Sequence, residues 1–338
     1  MRPALLAFSP AFLALSVVLA SWGCPAARPA AALELGLPIA CEPGRDCWIP
    51  RYVDLDPGPG FRDFMCGDLG ADAHSGIDFA IPDLAAMRAG VPVLAAAAGR
   101  VRNVRDGMED VSVDRIGMAA VEGRNCGNGV VVAHGDGWET QYCHLRRGSV
   151  TVRPGQEVQA GQELGLVGMS GEASFPHVHL SVRQGDRQVD PFRGTGGGPD
   201  CGPGSAPLWT QAALAQLAYA PLLLTGSGLA GEPPRWEDVQ EGRHAGATLP
   251  RDAPALILWV EGMALRAGDR LRYRIFSPDG STVLDDERTE AKAQARFFRY
   301  VGRKRPDGGW PSGTWQGEVT LSRDGTPPVS LRRTIEIE

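Results

Sequence analysis

The amino-acid sequence predicts a mostly β protein, in which an antiparallel β-sheet domain is followed by a β-sandwich. Short apolar runs alternate with glycine turns between residues 74 and 191. From about residue 255 to the end, apolar and polar residues alternate around Asp-Gly turns. Both patterns are typical of strands joined by tight turns. The stretch "PDLAAMRAG" at 82–90 is the one candidate helix of the first region.

The first 32 residues have the pattern of a signal peptide for export. Arg2 supplies a positive start, an apolar run extends from Ala4 to Ala20, and an alanine-rich stretch suited to cleavage ends at Ala32. An uncleaved membrane anchor is the alternative, because the apolar run approaches the length that spans a bilayer. We therefore expect an exported protein, periplasmic or secreted, with no stable membrane span after signal cleavage.

The composition indicates a soluble protein and argues against a nucleic-acid binder. The 338 residues are 43% hydrophobic and 22% charged, which is ordinary for a globular chain with room for two domains. The formal net charge is −6, whereas nucleic-acid-binding proteins usually present a basic face. The sequence does not predict an oligomeric state.

Cysteine usage agrees with export to an oxidising compartment. The chain has seven cysteines, and cleavage of the signal would remove Cys24 and leave six. An even number in an exported protein predicts up to three disulfides. Cys41 with Cys47 would close a short loop, and Cys126 with Cys143 would meet across a hairpin. The complete connectivity stays open, because six cysteines allow many pairings.

Breaker-rich stretches divide the chain into segments. Pro, Gly and Asp dominate residues 40–70, and "GTGGGPDCGPGS" at 194–205 marks a boundary. Near the C-terminus, alternation places Leu271, Tyr273 and Ile275 on one face, which favours an immunoglobulin-like sandwich. The predicted organisation is a signal peptide at 1–32, a disulfide-pinned lead-in at 33–73, a histidine-bearing sheet domain at 74–193, a linker and mixed segment at 194–250, and a β-sandwich accessory domain at 251–338.

Five of the six histidines fall between residues 74 and 179. In "HVHL", His177 and His179 point the same way if the stretch is a strand, with Cα atoms about 6.5 Å apart. One imidazole of such a pair could bind a metal while the other contacts a group held there. His134 precedes a Gly-Asp-Gly turn and is predicted to be structural, and His244 is expected to lie in solvent in the connecting segment.

His74 and Asp78 in "HSGID" can share an ion only if the chain bends between them. Four residues of straight strand span about 13 Å, which is too far for both side chains to reach one ion. Gly76 and Pro82 do not suit a helix, so we expect a bend near Ser75-Gly76 that turns His74 back toward Asp78.

Two imidazoles and one carboxylate make a ligand set of three with the fourth position left to solvent. Catalytic zinc sites have this composition, whereas structural zinc sites are closed by four protein ligands. Calcium and magnesium would need more oxygen ligands. The pattern favours hydrolysis by zinc-activated water, with a neighbouring imidazole accepting a proton or stabilising the oxyanion.

The segment 74–191 resembles the LytM-type zinc peptidases of family M23, which cut the peptide cross-links or stems of bacterial peptidoglycan. The resemblance lies in "HSGIDFA", "GVPVLAAAAGRV", "GNGVVVAHGDGWETQYCHL", "VRPGQEVQAGQELGLVGMSGEA" and "PHVHLSV", in the family's order. It implies a LytM/M23-type antiparallel β-sheet peptidase domain that holds one Zn²⁺ per chain and acts on peptidoglycan or another peptide. It also implies roles for five residues: His74, Asp78 and His179 as metal ligands, and His144 and His177 as catalytic histidines that activate water and stabilise the tetrahedral intermediate.

Some features depart from the family pattern or leave alternatives open. Val178 replaces the leucine of the usual HLH, and the insertion-like residues 105–126 lengthen a loop expected to border the cleft. A catalytically silent LytM-like regulator or cell-wall binding module is the alternative function, although inactive members lack some of the metal residues that are all present here. The lead-in could also be inhibitory, and four aspartates could then supply a residue to the zinc: Asp54, Asp56, Asp63 and Asp68.

Overall fold

Strands make up most of the regular structure, which confirms the predicted mostly β fold. The computed structural model describes Met1 and residues 33–196, 200–243 and 248–338. The rest of the predicted signal peptide and His244 lie outside the described residues. The described strands are β1 (Trp48–Arg51), β2 (Ile77–Ala80), β3 (Pro92–Leu94), β4 (Gly99–Arg105), β5 (Asn128–Gly135), β6 (Trp138–Leu145), β7 (Glu157–Val158), β8 (Glu163–Leu166), β9 (His177–Gln184), β10 (Arg187–Gln188), β11 (Leu223–Ala230), β12 (Thr248–Leu249), β13 (Ala255–Leu265), β14 (Arg270–Phe276), β15 (Thr282–Thr289), β16 (Gln294–Lys304), β17 (Gly313–Arg323) and β18 (Thr326–Ile337).

The helices are short. They are α1 (Leu84–Ala89), α2 (Val113–Ile116), a 3₁₀ helix (Met118–Val121), α3 (Gln211–Leu214) and α4 (Trp236–Gln240). The α1 helix occupies the stretch in which a helix was predicted. It begins after Asp83, whose side chain accepts a hydrogen bond from the Ala86 N–H, and it ends at Gly90, whose φ is 94°. None of the described helices combines the length and the apolar character needed to cross a membrane.

The largest sheet carries the histidines on its central strands. Its strand order is β1-β2-β9-β6-β5-β4-β7, and β10 pairs with β9 at the side. The pairings of β9 with β2 and with β6 are both antiparallel. Their register places Asp78 of β2 and Cys143 of β6 on either side of His179. Strands β3 and β8 form a separate two-stranded sheet.

The core of this half extends beyond the histidine-bearing segment on both sides. Its buried cluster includes Leu35 and Tyr52 from the predicted lead-in and Trp209 from the segment after it. Strand β1, also from the lead-in, forms the edge of the sheet by pairing with β2. Residues from about 33 to 217 therefore fold around one apolar core.

Three disulfides are present among the described cysteines: Cys41–Cys47, Cys66–Cys201 and Cys126–Cys143. The first and third are the two pairs that the sequence suggested. The Cys126–Cys143 bond spans the β5–β6 hairpin, whose turn contains Gly135, Asp136 and Gly137, all with positive φ.

Two further sheets form the C-terminal half. Their strand orders are β11-β13-β16 and β12-β18-β17-β14-β15. Both sheets contribute to one buried cluster, in which Leu271, Tyr273 and Ile275 lie on one face as predicted. This arrangement fits an immunoglobulin-like sandwich. Strand β11 lies within the segment predicted as linker and pairs with β13. The described residues from 33 onward form one compact unit.

Candidate active site

The candidate site is built on three neighbouring strands of the large sheet. Asp78 on β2 lies opposite His179 on β9, and His177 precedes it by two residues on the same strand. His144 lies on β6 with a φ of 65°, an uncommon conformation for a residue with a side chain. The four side chains line one cleft of about 480 Å³ together with His74.

His74 reaches Asp78 because the chain bends before β2 begins. The bend is at Gly76, as the sequence predicted, and the His74 Nε2 lies 3.1 Å from the Asp78 Oδ1. A Cβ atom at Gly76 would lie 2.4 Å from the Leu180 carbonyl oxygen and 2.5 Å from the His179 Nε2. Only glycine therefore lets the bend pass so close to β9.

His74, Asp78 and His179 form a donor set that fits a metal ion. One ligand atom from each lies within 4.8 Å of the others. Asp78 is 1% exposed, and its Oδ2 has no hydrogen-bond partner among the described residues. A buried carboxylate oxygen without a partner is costly unless a cation or a donor satisfies it. Two imidazoles and one carboxylate match the ligand preferences of catalytic zinc.

Backbone carbonyls fix the orientation of three of the four site histidines. In each case the Nδ1–H donates to a carbonyl oxygen, so that Nε2 is left free for the site. The bonds join His74 to Tyr52 at 2.8 Å, His144 to Ser170 at 2.7 Å, and His177 to Phe175 at 2.9 Å. The fourth, His179, contacts Asp78 through Nδ1 at 2.8 Å and the Ser181 hydroxyl through Nε2 at 3.0 Å.

Asp78 is held in its charged form. Burial by itself would raise the pKa of Asp78. Electrostatic attraction to His74 and His177 and hydrogen bonds from His179 and His74 outweigh burial, and they hold the pKa of Asp78 well below its usual range. Burial by itself would lower the pKa of His74. The Asp78 carboxylate more than offsets the effect of burial, so the pKa of His74 is raised above its ordinary value. Negative charge is thus concentrated at the point where the three ligand atoms meet.

His144 and His177 are held in their neutral form. Burial lowers the pKa of His177, and the attraction of Asp78 offsets only part of that effect. Burial also lowers the pKa of His144, and the neighbouring His177 and His179 push it well below the ordinary value. The rings of His144 and His177 lie 4.6 Å apart between centroids. Two neutral imidazoles beside the candidate metal ligands can accept or donate protons.

His134 lies away from this group. Its Nδ1 donates to the Ala98 carbonyl oxygen at 2.8 Å, and its Nε2 lies 2.8 Å from the Thr140 hydroxyl. These contacts agree with the structural role predicted for it.

Segments outside the histidine motifs also reach the cleft. The predicted insertion borders the cleft through Asn125 and Cys126, and β1 contributes Arg51. The Arg51 guanidinium lies 3.9 Å from the Asp78 Oδ2. Sequence reasoning missed Arg51 and also Ser181. The two-residue spacing from His179 could have indicated Ser181, whereas no local signal marks Arg51.

The four lead-in aspartates considered as inhibitory ligands contact other groups. Asp54, Asp56 and Asp63 accept hydrogen bonds from backbone N–H groups, and Asp68 pairs with Arg266. The acidic residue of the lead-in that lines the cleft is instead Asp72.

Part of the chain matches a known protein family in sequence. Residues 72–191 match the sequence profile of Peptidase family M23. Peptidoglycan DD-endopeptidase ShyB of Vibrio cholerae is 31% identical over 120 residues, which are 36% of this chain and 22% of ShyB. Cell division protein DipM of Caulobacter vibrioides is 44% identical over 57 residues, which are 17% of this chain and 9% of DipM.

A solved structure shows the same kind of partial match. The catalytic domain of the prophage-encoded M23 protein EnpA from Enterococcus faecalis has 25% sequence identity and a TM-score of 0.31, and the match covers 48% of this chain and 95% of that one. The matched part spans less than a quarter of the length of either curated relative. Residues 72–191 of this chain therefore form a domain of peptidase family M23.

Proposed function

We propose that this chain is an exported zinc metalloendopeptidase that hydrolyses peptide bonds in the stem peptides or cross-links of peptidoglycan. The convergence of the His74, Asp78 and His179 ligand atoms within 4.8 Å carries the proposal. Membership of residues 72–191 in the M23 family supports peptidase chemistry. The name of ShyB, a peptidoglycan DD-endopeptidase, supports the substrate. Peptidoglycan lies outside the cytoplasmic membrane, which agrees with the export signal predicted at 1–32.

His74, Asp78 and His179 would hold one zinc ion. When bound there, zinc supplies a Lewis acid and lowers the pKa of water toward neutrality. Asp78 contributes the negative charge, which its low pKa keeps in place. The Tyr52 carbonyl holds the ring of His74 so that Nε2 faces Asp78.

His144 and His177 would move protons and stabilise charge. Because both imidazoles are buried and neutral, the free Nε2 of either one can accept a proton from the attacking water. The Nε2–H formed by that proton transfer can donate a hydrogen bond to the carbonyl oxygen of the scissile bond as negative charge develops there. The proton taken up can then pass to the amine leaving group.

Two substitutions separate metal binding from proton transfer. The His179→Ala variant should lose both zinc and hydrolysis, because it removes a ligand. The His177→Ala variant should keep zinc and lose at least about 100-fold in kcat, since general acid–base groups contribute that much. Zinc is measured by elemental analysis of the purified chain. Hydrolysis is measured by mass analysis of digested peptidoglycan fragments, with His134→Gln as the control outside the cleft.

A regulator or cell-wall binding module would behave differently. If the zinc-loaded wild-type chain cleaves neither muropeptides nor glycine-rich peptides, the enzyme proposal is wrong. Survival of function in cells that carry only the Asp78→Ala variant would then favour the non-catalytic alternative.

A further inference from the structure

A second cavity, of about 440 Å³, lies beside the catalytic cleft. Arg51 lines both spaces, so its side chain stands at their boundary. The cavity is formed largely by segments outside the M23 domain of residues 72–191. Its lining includes Arg51 and Phe61 from the lead-in, Phe175 from the M23 domain, and Met263, Arg266 and Arg296 from the C-terminal half.

Two arginines from distant parts of the chain meet at one aromatic ring in this cavity. The Arg51 guanidinium carbon lies 5.9 Å from the centroid of the Phe175 ring, and that of Arg296 lies 5.2 Å from it. Arg296 also lies 5.0 Å from the centroid of Trp236. Phe175 is 4% exposed, so the ring is a fixed platform. Cation–π contacts of this kind hold guanidinium groups in place without using their N–H donors.

Most of the N–H donors of these arginines have no acceptor among the described residues. A guanidinium has five donors, yet the hydrogen bond found for Arg296 in the described part of the chain is the one to the Ser174 carbonyl, at 3.3 Å. The carboxylate oxygen closest to Arg51 is the Asp78 Oδ2 at 3.9 Å, beyond hydrogen-bonding range. Under the proposed function, Asp78 is also committed to the metal.

Two acidic residues line the cavity, and each has a partner within it. Asp68 pairs with Arg266, and Asp114 accepts a hydrogen bond from the Ser174 hydroxyl at 3.2 Å. Even so, the Arg266 Nε is buried without a partner among the described residues. Burial lowers the pKa of Arg296 by more than the nearby Glu261 and Asp114 raise it. The lining therefore holds three arginines (Arg51, Arg266 and Arg296) against two aspartates, an excess of positive charge that stabilises an anion.

We propose that this cavity is a carboxylate-binding subsite for the peptide substrate, in which Arg51 and Arg296 donate hydrogen bonds to a free carboxylate of the stem peptide. The planar guanidinium matches the geometry of a carboxylate, which it can bind through two parallel hydrogen bonds. Stem peptides carry free carboxylates close to their amide linkages. Because Arg51 lines both spaces, a peptide in the cleft can place such a carboxylate in the subsite. The inference rests on the proposed function and adds a determinant of substrate choice.

The test compares a defined cross-linked stem-peptide dimer with the same dimer whose free carboxylates are converted, one at a time, to carboxamides. The wild-type chain should cleave the acid form with a kcat/KM about ten-fold or more above that of one of the amides, since a charge-assisted pair is lost. The Arg51→Gln and Arg296→Gln variants should lose this preference. In Arg296→Gln, kcat/KM should fall on the acid form and stay unchanged on that amide. In Arg51→Gln it should fall more on the acid form than on the amide, because Arg51 also borders the catalytic cleft.

Three further variants and one binding measurement complete the test. Arg296→Lys should restore part of the preference, because it keeps the charge without the planar fork. Arg102→Gln is the surface control, since Arg102 pairs with Glu139 and does not line the cavity. Calorimetry with the zinc-loaded His177→Ala variant measures binding of the acid and amide dimers without turnover, and it should show the same preference.

Equal cleavage of the acid and every amide by the wild-type chain overturns the subsite. So does an equal loss on both substrates in the Arg51 and Arg296 variants, which would indicate a merely structural role. If calorimetry shows an Arg51-dependent preference for the acid while no dimer is cleaved, the subsite stands and the proposed hydrolase activity fails.

Discussion

Gly76 allows the geometry of the proposed metal site to be tested with one methyl group. In Gly76→Ala, the new Cβ would lie 2.4 Å from the Leu180 carbonyl oxygen and 2.5 Å from the His179 Nε2. Because real Cβ contacts below 3.0 Å are essentially never seen, both contacts must lengthen by about 0.5 Å or more, through movement of these groups or of the Gly76 backbone. Gly76 does not have a positive φ, so the effect comes from the methyl group and not from backbone strain.

The His179 ring is the group expected to move. The backbone at Leu180 is paired with Ile77 on one side and Tyr142 on the other, so that carbonyl can shift only together with the centre of the sheet. A site of this kind tolerates about 0.5 Å of displacement. We therefore expect zinc affinity to fall on the order of 10- to 100-fold, as it does when ligand orientation is disturbed. Overpacking should also cost about 1–3 kcal/mol of folding stability.

The assay is competition for zinc against a chelator of known affinity, with chemical denaturation measured on the same samples. Gly36→Ala is the matched control, because its Cβ would meet its nearest neighbour, the Ala96 carbonyl oxygen, at an ordinary 3.5 Å. Wild-type zinc affinity in Gly76→Ala would show that the ring of His179 is not placed as described. It would also remove the physical reason given for glycine at this position.

Two further predictions concern stability. Burial raises the pKa of Glu261 to about 7, with a further increase from Asp83 and a decrease from Arg296. The folded state then binds more protons than the unfolded state between pH of about 4.5 and 7, so the free energy of unfolding should fall by up to about 3 kcal/mol as pH rises through this window. Urea denaturation should show this slope in the wild type and not in Glu261→Gln, and parallel pH profiles would contradict it. Removal of the Cys66–Cys201 disulfide, which has a sequence separation of 135, should lower the free energy of unfolding by about 5 kcal/mol. Removal of Cys41–Cys47, which has a separation of 6, should lower it by about 2 kcal/mol. Denaturation of the paired serine variants without reductant should give this order, and the reverse order would refute the loop-length argument.

The residues that sequence reasoning placed together are those governed by local geometry. Strand spacing puts His177 and His179 on one face whatever the rest of the fold does. A bend was needed for His74 to reach Asp78, and glycine was the residue able to supply it. The same alternation predicted the buried face of Leu271, Tyr273 and Ile275, although it did not reveal which strands pair.

Strand β11 shows why the limits of the C-terminal half could not be derived from pattern alone. Gly226 and Gly228 interrupt its apolar run and weaken the strand signal. The structure explains both glycines by contacts with β13. A Cβ at Gly226 would lie 2.6 Å from the Glu261 Oε1, and a Cβ at Gly228 would lie 2.7 Å from the Trp259 ring. These contacts are non-local, so no window of the sequence contains them.

Long-range pairing also explains how segments outside residues 72–191 take part in the site. Strand β1 pairs with β2 at the edge of the sheet and brings Arg51 beside Asp78 and the Tyr52 carbonyl to His74. Arg296 packs on Phe175, whose carbonyl orients His177. The proposed metal ligands can be encoded by short motifs because the distances between them are set within a strand or a bend. The side chains around them depend on which distant strands meet, and for that reason differences in substrate choice are expected in these outer segments.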